Sequence, residues 1–299
     1  GATTVKDDTG GLVLGNVSVA SLAVNTSADN SDITQATGTT VVTTNAALTN
    51  VLNAGTGDVT LGNTGNNLRG RVDVTADAVS IKDDTGGVVL GNVSAGSLTV
   101  NTATGNGAIT QATGTTVVTS NAAVAVTLNA GTGDITLANN GNNLVGTQVN
   151  ATGDAVSLKD DTGGVVLGNV NSTSLAVTAA GGITVAGAVD TADLTLTTTN
   201  TAVTQTTGTL LISATTSLNV GTGNVSLTGS GNNFVDAVSV NSGGSAAGTV
   251  QIKDDIGGLK LGNVNATALS INTAADNGAL TQAAATHATI GTTTALTPG

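Results

Sequence analysis

Apolar residues along this chain come as short alternations. In the stretch from Leu175 to Ile271 the pairs are Leu175/Val177, Leu194/Leu196, Leu210/Ile212, Val225/Leu227, Val238/Val240, Val250/Ile252 and Leu269/Ile271, at successive spacings of 19, 16, 15, 13, 12 and 19 residues. Nearly all enclose a small or polar residue, such as Ala176, Thr195, Ser226, Ser239 or Gln251. That period of two predicts strands with one buried face. Clusters of Gly, Asn, Asp and Ser such as Gly221-Thr222-Gly223-Asn224 separate the pairs and predict turns. No helical period appears.

A longer period overlies the short one. Lys-Asp-Asp begins at Lys6, Lys82, Lys159 and Lys253, at intervals of 76, 77 and 94 residues, and is followed each time by Gly-Gly and then Leu-Gly-Asn (Leu14, Leu90, Leu167, Leu261). Ile/Val/Leu-Thr-Gln begins at Ile33, Ile109, Val203 and Leu280. Gly-Thr-Gly-Asp/Asn begins at Gly55, Gly131 and Gly221, and Gly-Asn-Asn at Gly65, Gly141 and Gly231. The order never changes, so the chain reads as repeats 6–81, 82–158 and 159–252 and a partial repeat 253–299. Short strands without hairpin regularity predict one continuous all-β solenoid over 1–299, a single-stranded, right-handed parallel β-helix without helices. With about five coils per repeat stacked ~4.8 Å apart, about 19–20 coils would form a rod on the order of 90–100 Å. The 17–18 residues by which the third repeat exceeds the others correspond to one inserted coil, between Ile183 and Val203.

Composition fits a thin core filled by small aliphatic side chains. There is one Phe (Phe234), one His (His287), no Cys, Met, Trp or Tyr, and all 19 acidic residues are Asp. Phe234 occupies the place of Leu68 and Leu144 after Gly-Asn-Asn, which makes it a core substitution. The net charge of -12 argues against nucleic-acid binding. No apolar run reaches the ~18–20 residues of a membrane-spanning helix. With no Met, the expectation is a processed product or an internal piece of a longer chain.

Strings such as Gly107-Ala108-Ile109-Thr110-Gln111, Leu128-Asn129-Ala130-Gly131-Thr132-Gly133-Asp134 and Gly141-Asn142-Asn143-Leu144 resemble the shafts of filamentous-haemagglutinin-type bacterial adhesins, exoproteins exported by a dedicated outer-membrane partner. The resemblance runs from about Val5 to Ala283 and implies a secreted, extracellular shaft on the bacterial cell surface. Nothing matches that family's secretion domain or a recognition tip, and from Ala284 to Gly299 the pattern is departed from.

Candidate chemistry is sparse. The Asp pairs Asp7/Asp8, Asp83/Asp84, Asp160/Asp161 and Asp254/Asp255 are the weak candidates for calcium, which takes several oxygen ligands. Adjacent strand residues point to opposite faces and a Lys precedes each pair, so the expectation is a solvated turn with a local Lys-Asp pair and no metal or cofactor. A sugar lyase or hydrolase needs a base or two spaced carboxylates. With no Glu and Arg only at Arg69 and Arg71, the expectation is no enzyme and no catalytic residue. His287 lacks a second His or Cys and is expected at the surface. The recurring Asn66, Asn142 and Asn232 read as turn residues tolerating left-handed backbone. Thr-x-Thr spacings at Thr195/Thr197 and Thr292/Thr294 raise an ice-binding array, but the Thr positions do not recur at one place in each coil.

The function expected is a non-enzymatic shaft that displays a binding region away from the cell. Its partners would be neighbouring β-helical segments of the same or an identical chain and a receptor on a host or neighbouring cell. The alternatives are an extracellular filament subunit stacking end to end, and an ice-binding or calcium-dependent binding module.

Overall fold

The computed structural model describes all 299 residues, in 33 strands and no helix. The residues fall into two compact units, Gly1–Lys159 and Asp160–Gly299. Within each unit every strand pairing is parallel, and each unit is a β-solenoid.

In the first unit, the chain passes over three faces per turn. One face stacks Val5, Val24, Leu52, Val74, Val93 and Val117. Another stacks Leu61, Ile81, Val100, Leu128 and Ala151. The third begins with Val17 on Val41 and continues in the second repeat with Val88, Ile109, Ile135 and Val156. Nearly all of these side chains are buried. Each turn adds one parallel ladder per face to the turn below, and each inward column excludes water along its length.

The second unit follows the same plan. Ile183 stacks on Val165 and under Val203, Val189 lies between Val170 and Leu210, and Leu194 between Leu175 and Thr216. Residues 183–198 therefore make a three-strand turn of their own. Phe234 is buried and stacks on Ile212, the register that Leu68 and Leu144 hold over Thr43 and Thr119.

The turns number about 14 in all, fewer than the 19–20 expected. Registers explain the difference: one turn consumes between 18 residues (Arg71 to Val89) and 28 residues (Ala23 to Val51). The apolar pairs mark strands, three to a turn. Some strands are nearly invisible in sequence, such as the two-residue Asn67–Leu68. Others turn a corner without a break: Arg71–Lys82 pairs first with Thr49–Asn53 and then with Val59–Leu61.

A consequence is that a repeat does not end on the face where it began. Ten strands over three faces make three turns and one face more. Val74 is followed in its column by Val93, the counterpart of Val17, and Val79 by Leu98, the counterpart of Leu22. In the second unit Val240 is followed by Val264, and Val250 by Leu269, the same one-face advance.

Candidate functional site

The recurring polar residues converge on the corners between faces. Gln35 of Ile-Thr-Gln meets Asn66 of Gly-Asn-Asn one turn later. Gln35 Nε2 donates to Asn66 Oδ1 at 2.7 Å, and Asn66 Nδ2 donates back to Gln35 Oε1 at 3.0 Å. Asn66 Oδ1 also accepts the Val41 N–H at 2.8 Å, and its Nδ2 reaches the Leu61 carbonyl at 3.3 Å. Gln111 with Asn142, and Gln205 with Asn232, repeat the arrangement at 2.7 Å for the first bond. All three Asn are fully buried, and the positive φ belongs to the preceding Gly65, Gly141 and Gly231. The turn reading of these Asn is thus corrected: glycine supplies the left-handed backbone, and Asn supplies a buried amide.

The Asp pairs divide their labour. Asp83 is buried, and its carboxylate accepts the N–H groups of Leu68, Thr85 and Gly86 at 2.5, 2.9 and 3.1 Å. Asp160 is buried as well and accepts from Thr162 and Gly163 at 3.0 and 2.7 Å. Asp254 accepts from Ile256 at 3.0 Å and Phe234 at 3.4 Å. The expected solvated turn is therefore wrong for the first Asp of these three pairs, because the corner folds over it and its oxygens take the place of water. In the second and fourth repeats the second Asp meets the Lys. Lys82 lies 3.4 Å from Asp84 Oδ1 and Lys253 2.8 Å from Asp255 Oδ1, while Gly65 and Gly231 donate to Asp84 and Asp255 from the preceding turn. Asp7 is half-buried and accepts from Thr9, and exposed Asp8 pairs with Lys6 at 2.9 Å. Asp161 stands beside Asp160 at the start of the second unit.

Titration follows from these surroundings. Burial pushes the Asp254 carboxyl up to about 6 against two N–H donors, with the charges of Asp276 and Asp255 adding to the rise. Burial also opposes the Asp84 and Asp255 carboxylates. There, however, the Gly65 N–H, the Thr104 hydroxyl and Lys82 on one side, and Lys253 and the Gly231 N–H on the other, hold them below the ordinary value. No three His, Cys, Asp or Glu side chains converge at these corners or elsewhere.

The remaining motifs act between turns too. Asn of Leu-Gly-Asn accepts a backbone N–H one turn on: Asn16 from Thr40, Asn92 from Thr116, Asn169 from Ala188 and Asn263 from His287, at 2.9 to 3.2 Å. The last residue of Gly-Thr-Gly-Asp/Asn does the same, Asp58 for Ala78, Asp134 for Ala155 and Asn224 for Thr249, at 2.8 to 3.1 Å. Asn30, Asn106 and Asn200 do take positive φ, and each accepts the N–H of the Thr in the Gly-Thr-Gly turn above it.

Outside the motifs, His287 is exposed and lines an open groove of about 360 Å³ beside residues 242–246, an exposed corner loop. Arg71 forms a two-point pair with Asp73 at 3.0 Å. Hydroxyls do recur at one place: Thr34, Thr60, Ser80, Thr99 and Thr127 succeed one another on five turns. Unequal turn lengths hide this row from any fixed spacing. It is one side chain wide, because the neighbouring column holds Lys82, Asn101 and Asn129.

Neither a curated protein nor a solved structure matches the chain. A family model described as repeats of unknown function (DUF5649) matches residues 1–75, 76–151 and 185–241, which together exceed half of the sequence. The first two matches have the length of the sequence repeat, and the third begins inside the inserted turn. With its repeats laid out as turns of a β-solenoid, the chain belongs to this DUF5649 repeat family.

Proposed function

We propose that the protein is a non-enzymatic structural segment, the shaft of a secreted bacterial cell-surface adhesin that holds a binding region away from the cell. One observation carries the reading. The polar side chains at places that recur in every full repeat, such as Asn16, Gln35, Asp58 (Asn224 in the third repeat) and Asn66, bond to a neighbouring turn of the same chain. Repetition of a binding or catalytic site would instead repeat donors and acceptors facing outward. Here repetition serves the joining of turn to turn, which is what a load-carrying element requires. The acidic surface, with a net charge of -12, favours solubility over lateral collapse. The adhesin assignment is supported by the resemblance of the motif strings to adhesin shafts.

Negative-stain microscopy of the isolated chain tests the structural part, for which elongated particles are expected and compact globules would refute it. Antibody labelling of intact cells producing the full protein tests the location. Label that appears only after permeabilisation would place the protein inside the cell and end the adhesin reading.

A further inference from the structure

Of the seven basic side chains, six have a partner within the chain. Lys6, Lys82, Lys253, Lys260 and Arg71 pair with Asp8, Asp84, Asp255, Asp236 and Asp73, and Lys159 donates to Asn140. The Arg69 guanidinium makes neither a hydrogen bond nor an ion pair, and it is exposed. The fold does not require it: the same place after Gly-Asn-Asn-Leu/Phe holds Val145 and Val235 in the later repeats. Its backbone, by contrast, is fixed, since its carbonyl accepts from Thr43 Oγ1 at 2.9 Å and Asn50 Nδ2 at 2.8 Å.

Arg69 lines a groove of about 310 Å³ together with Ala46, Asn67, Gly86 and Val89, while the Leu68 side chain beside it is buried in the core. A methyl group built on Gly86 would touch nothing within 4 Å, whereas one on Gly70 or Gly87 would lie 2.1 or 2.4 Å from a backbone oxygen, so the groove is open at Gly86. Leu48, Val51 and Val89 are exposed aliphatic side chains on this part of the first unit, at 38%, 39% and 37% of their surface. Val89 sits in register with Arg71, and Val51 with Asp73.

We propose that this groove docks a protein partner that presents a carboxylate beside a small aliphatic side chain. A free guanidinium on an acidic chain is complementary to a carboxylate, which it can grip at two points. The aliphatic surround is complementary to a hydrocarbon side chain, and an exposed Arg among aliphatics is the composition of an interface centre. A sugar fits the lining poorly, because Asn67 is the one side chain besides Arg69 with donors or acceptors for hydroxyl groups.

The test is an amide-resolved NMR titration of the whole chain with a capped tetrapeptide Ala-Asp-Val-Ala and with its Asn analogue. Saturable shifts are expected at Gly86, Gly87 and Val89, at least fivefold weaker affinity for the Asn peptide, and loss of the response in Arg69→Val. Arg69→Lys should retain part of it. Val at this place is what the other repeats carry, so the variant should give an otherwise unchanged spectrum. Equal responses to the two peptides, an undiminished response in Arg69→Val, or no response at all would overturn the proposal. Tighter binding of glucuronate than of the Asp peptide would overturn the protein partner in favour of an acidic sugar.

Discussion

Gln35 and Asn66, 31 residues apart in sequence, close a reciprocal amide pair across adjacent turns, with Gln35 also donating to the Thr39 carbonyl at 2.9 Å. Together with the bonds to Val41, Leu61 and Asn63, the pair satisfies both amides, with Asn66 fully buried and Gln35 half-buried. The two residues come from the two motifs, Ile-Thr-Gln and Gly-Asn-Asn, that recur in the same order in each full repeat, and this contact is one physical reason the order is kept.

Removing one member should be costly. Asn66→Ala strands the Val41 N–H and the Gln35 amide, and we expect about 2–4 kcal/mol of destabilisation by urea unfolding. Gln35→Ala combined with Asn66→Ala should cost less than the sum of the single changes. Strict additivity in that double-mutant cycle would show that the pair is not a unit.

The two carboxylates of one Asp pair should differ in weight. Asp83→Ala leaves three N–H groups without their acceptor and should cost roughly 2–4 kcal/mol, whereas Lys82→Ala removes one partner of a largely buried pair in which Asp84 keeps the Gly65 N–H, and should cost less, about 1–2 kcal/mol. Equal losses in thermal unfolding would contradict the division of roles between Asp83 and Asp84.

Asp254 should make stability depend on pH with the opposite sign to most paired carboxylates. Its folded value is about 6 against an ordinary 3.8, so the folded chain binds the proton more tightly than the unfolded one. The contribution is therefore fully present below about pH 4 and is lost as pH rises toward and through 6, amounting to about 3 kcal/mol. Urea midpoints for the native chain and Asp254→Asn between pH 4 and 7 should diverge over that window. Parallel curves would refute the assignment.

Gly70 has φ +84, and a Cβ there would lie 2.1 Å from the Leu48 carbonyl oxygen. Gly70→Ala should lower stability by about 2 kcal/mol or more, from the left-handed backbone and the clash together. A melting temperature unchanged in the variant would show that this corner can yield.

Deletion should respect whole turns. Removing residues 183–202 brings Val203 onto Val165 and Leu210 onto Val170, restoring the columns that the inserted turn separates. That variant should still unfold cooperatively, by calorimetry, while removal of only residues 183–191 should abolish the transition of the second unit. Equal tolerance of both deletions would speak against three-strand turns as the unit of stacking.

Much of this architecture was legible from local pattern. Alternation around Leu194/Leu196 and Val225/Leu227 marks strands, Phe234 in a Leu position marks the core, and the excess between Ile183 and Val203 corresponds to a three-strand turn. The count of turns was not legible, because Asn67–Leu68 is too short to show a period and Arg71–Lys82 shows no break where it rounds a corner. The roles of Asn66 and Asp83 were hidden for a related reason. Amide and carboxylate side chains look alike in sequence whether they face water or lie buried, and their partners Gln35 and Leu68 stand 31 and 15 residues away.

Fold class, strand positions and the small-residue core follow from the chain's own periodicity, because burying one face of a short strand is a local requirement on every second residue. Which face each repeat begins on, which Asp is buried and which Arg is left without a partner follow only from stacking. Those facts depend on turn lengths that run from 18 to 28 residues, and only the closed turns add them up. The repeat in sequence is therefore a period of motifs, and the one-face advance that accompanies it is a property of the solenoid.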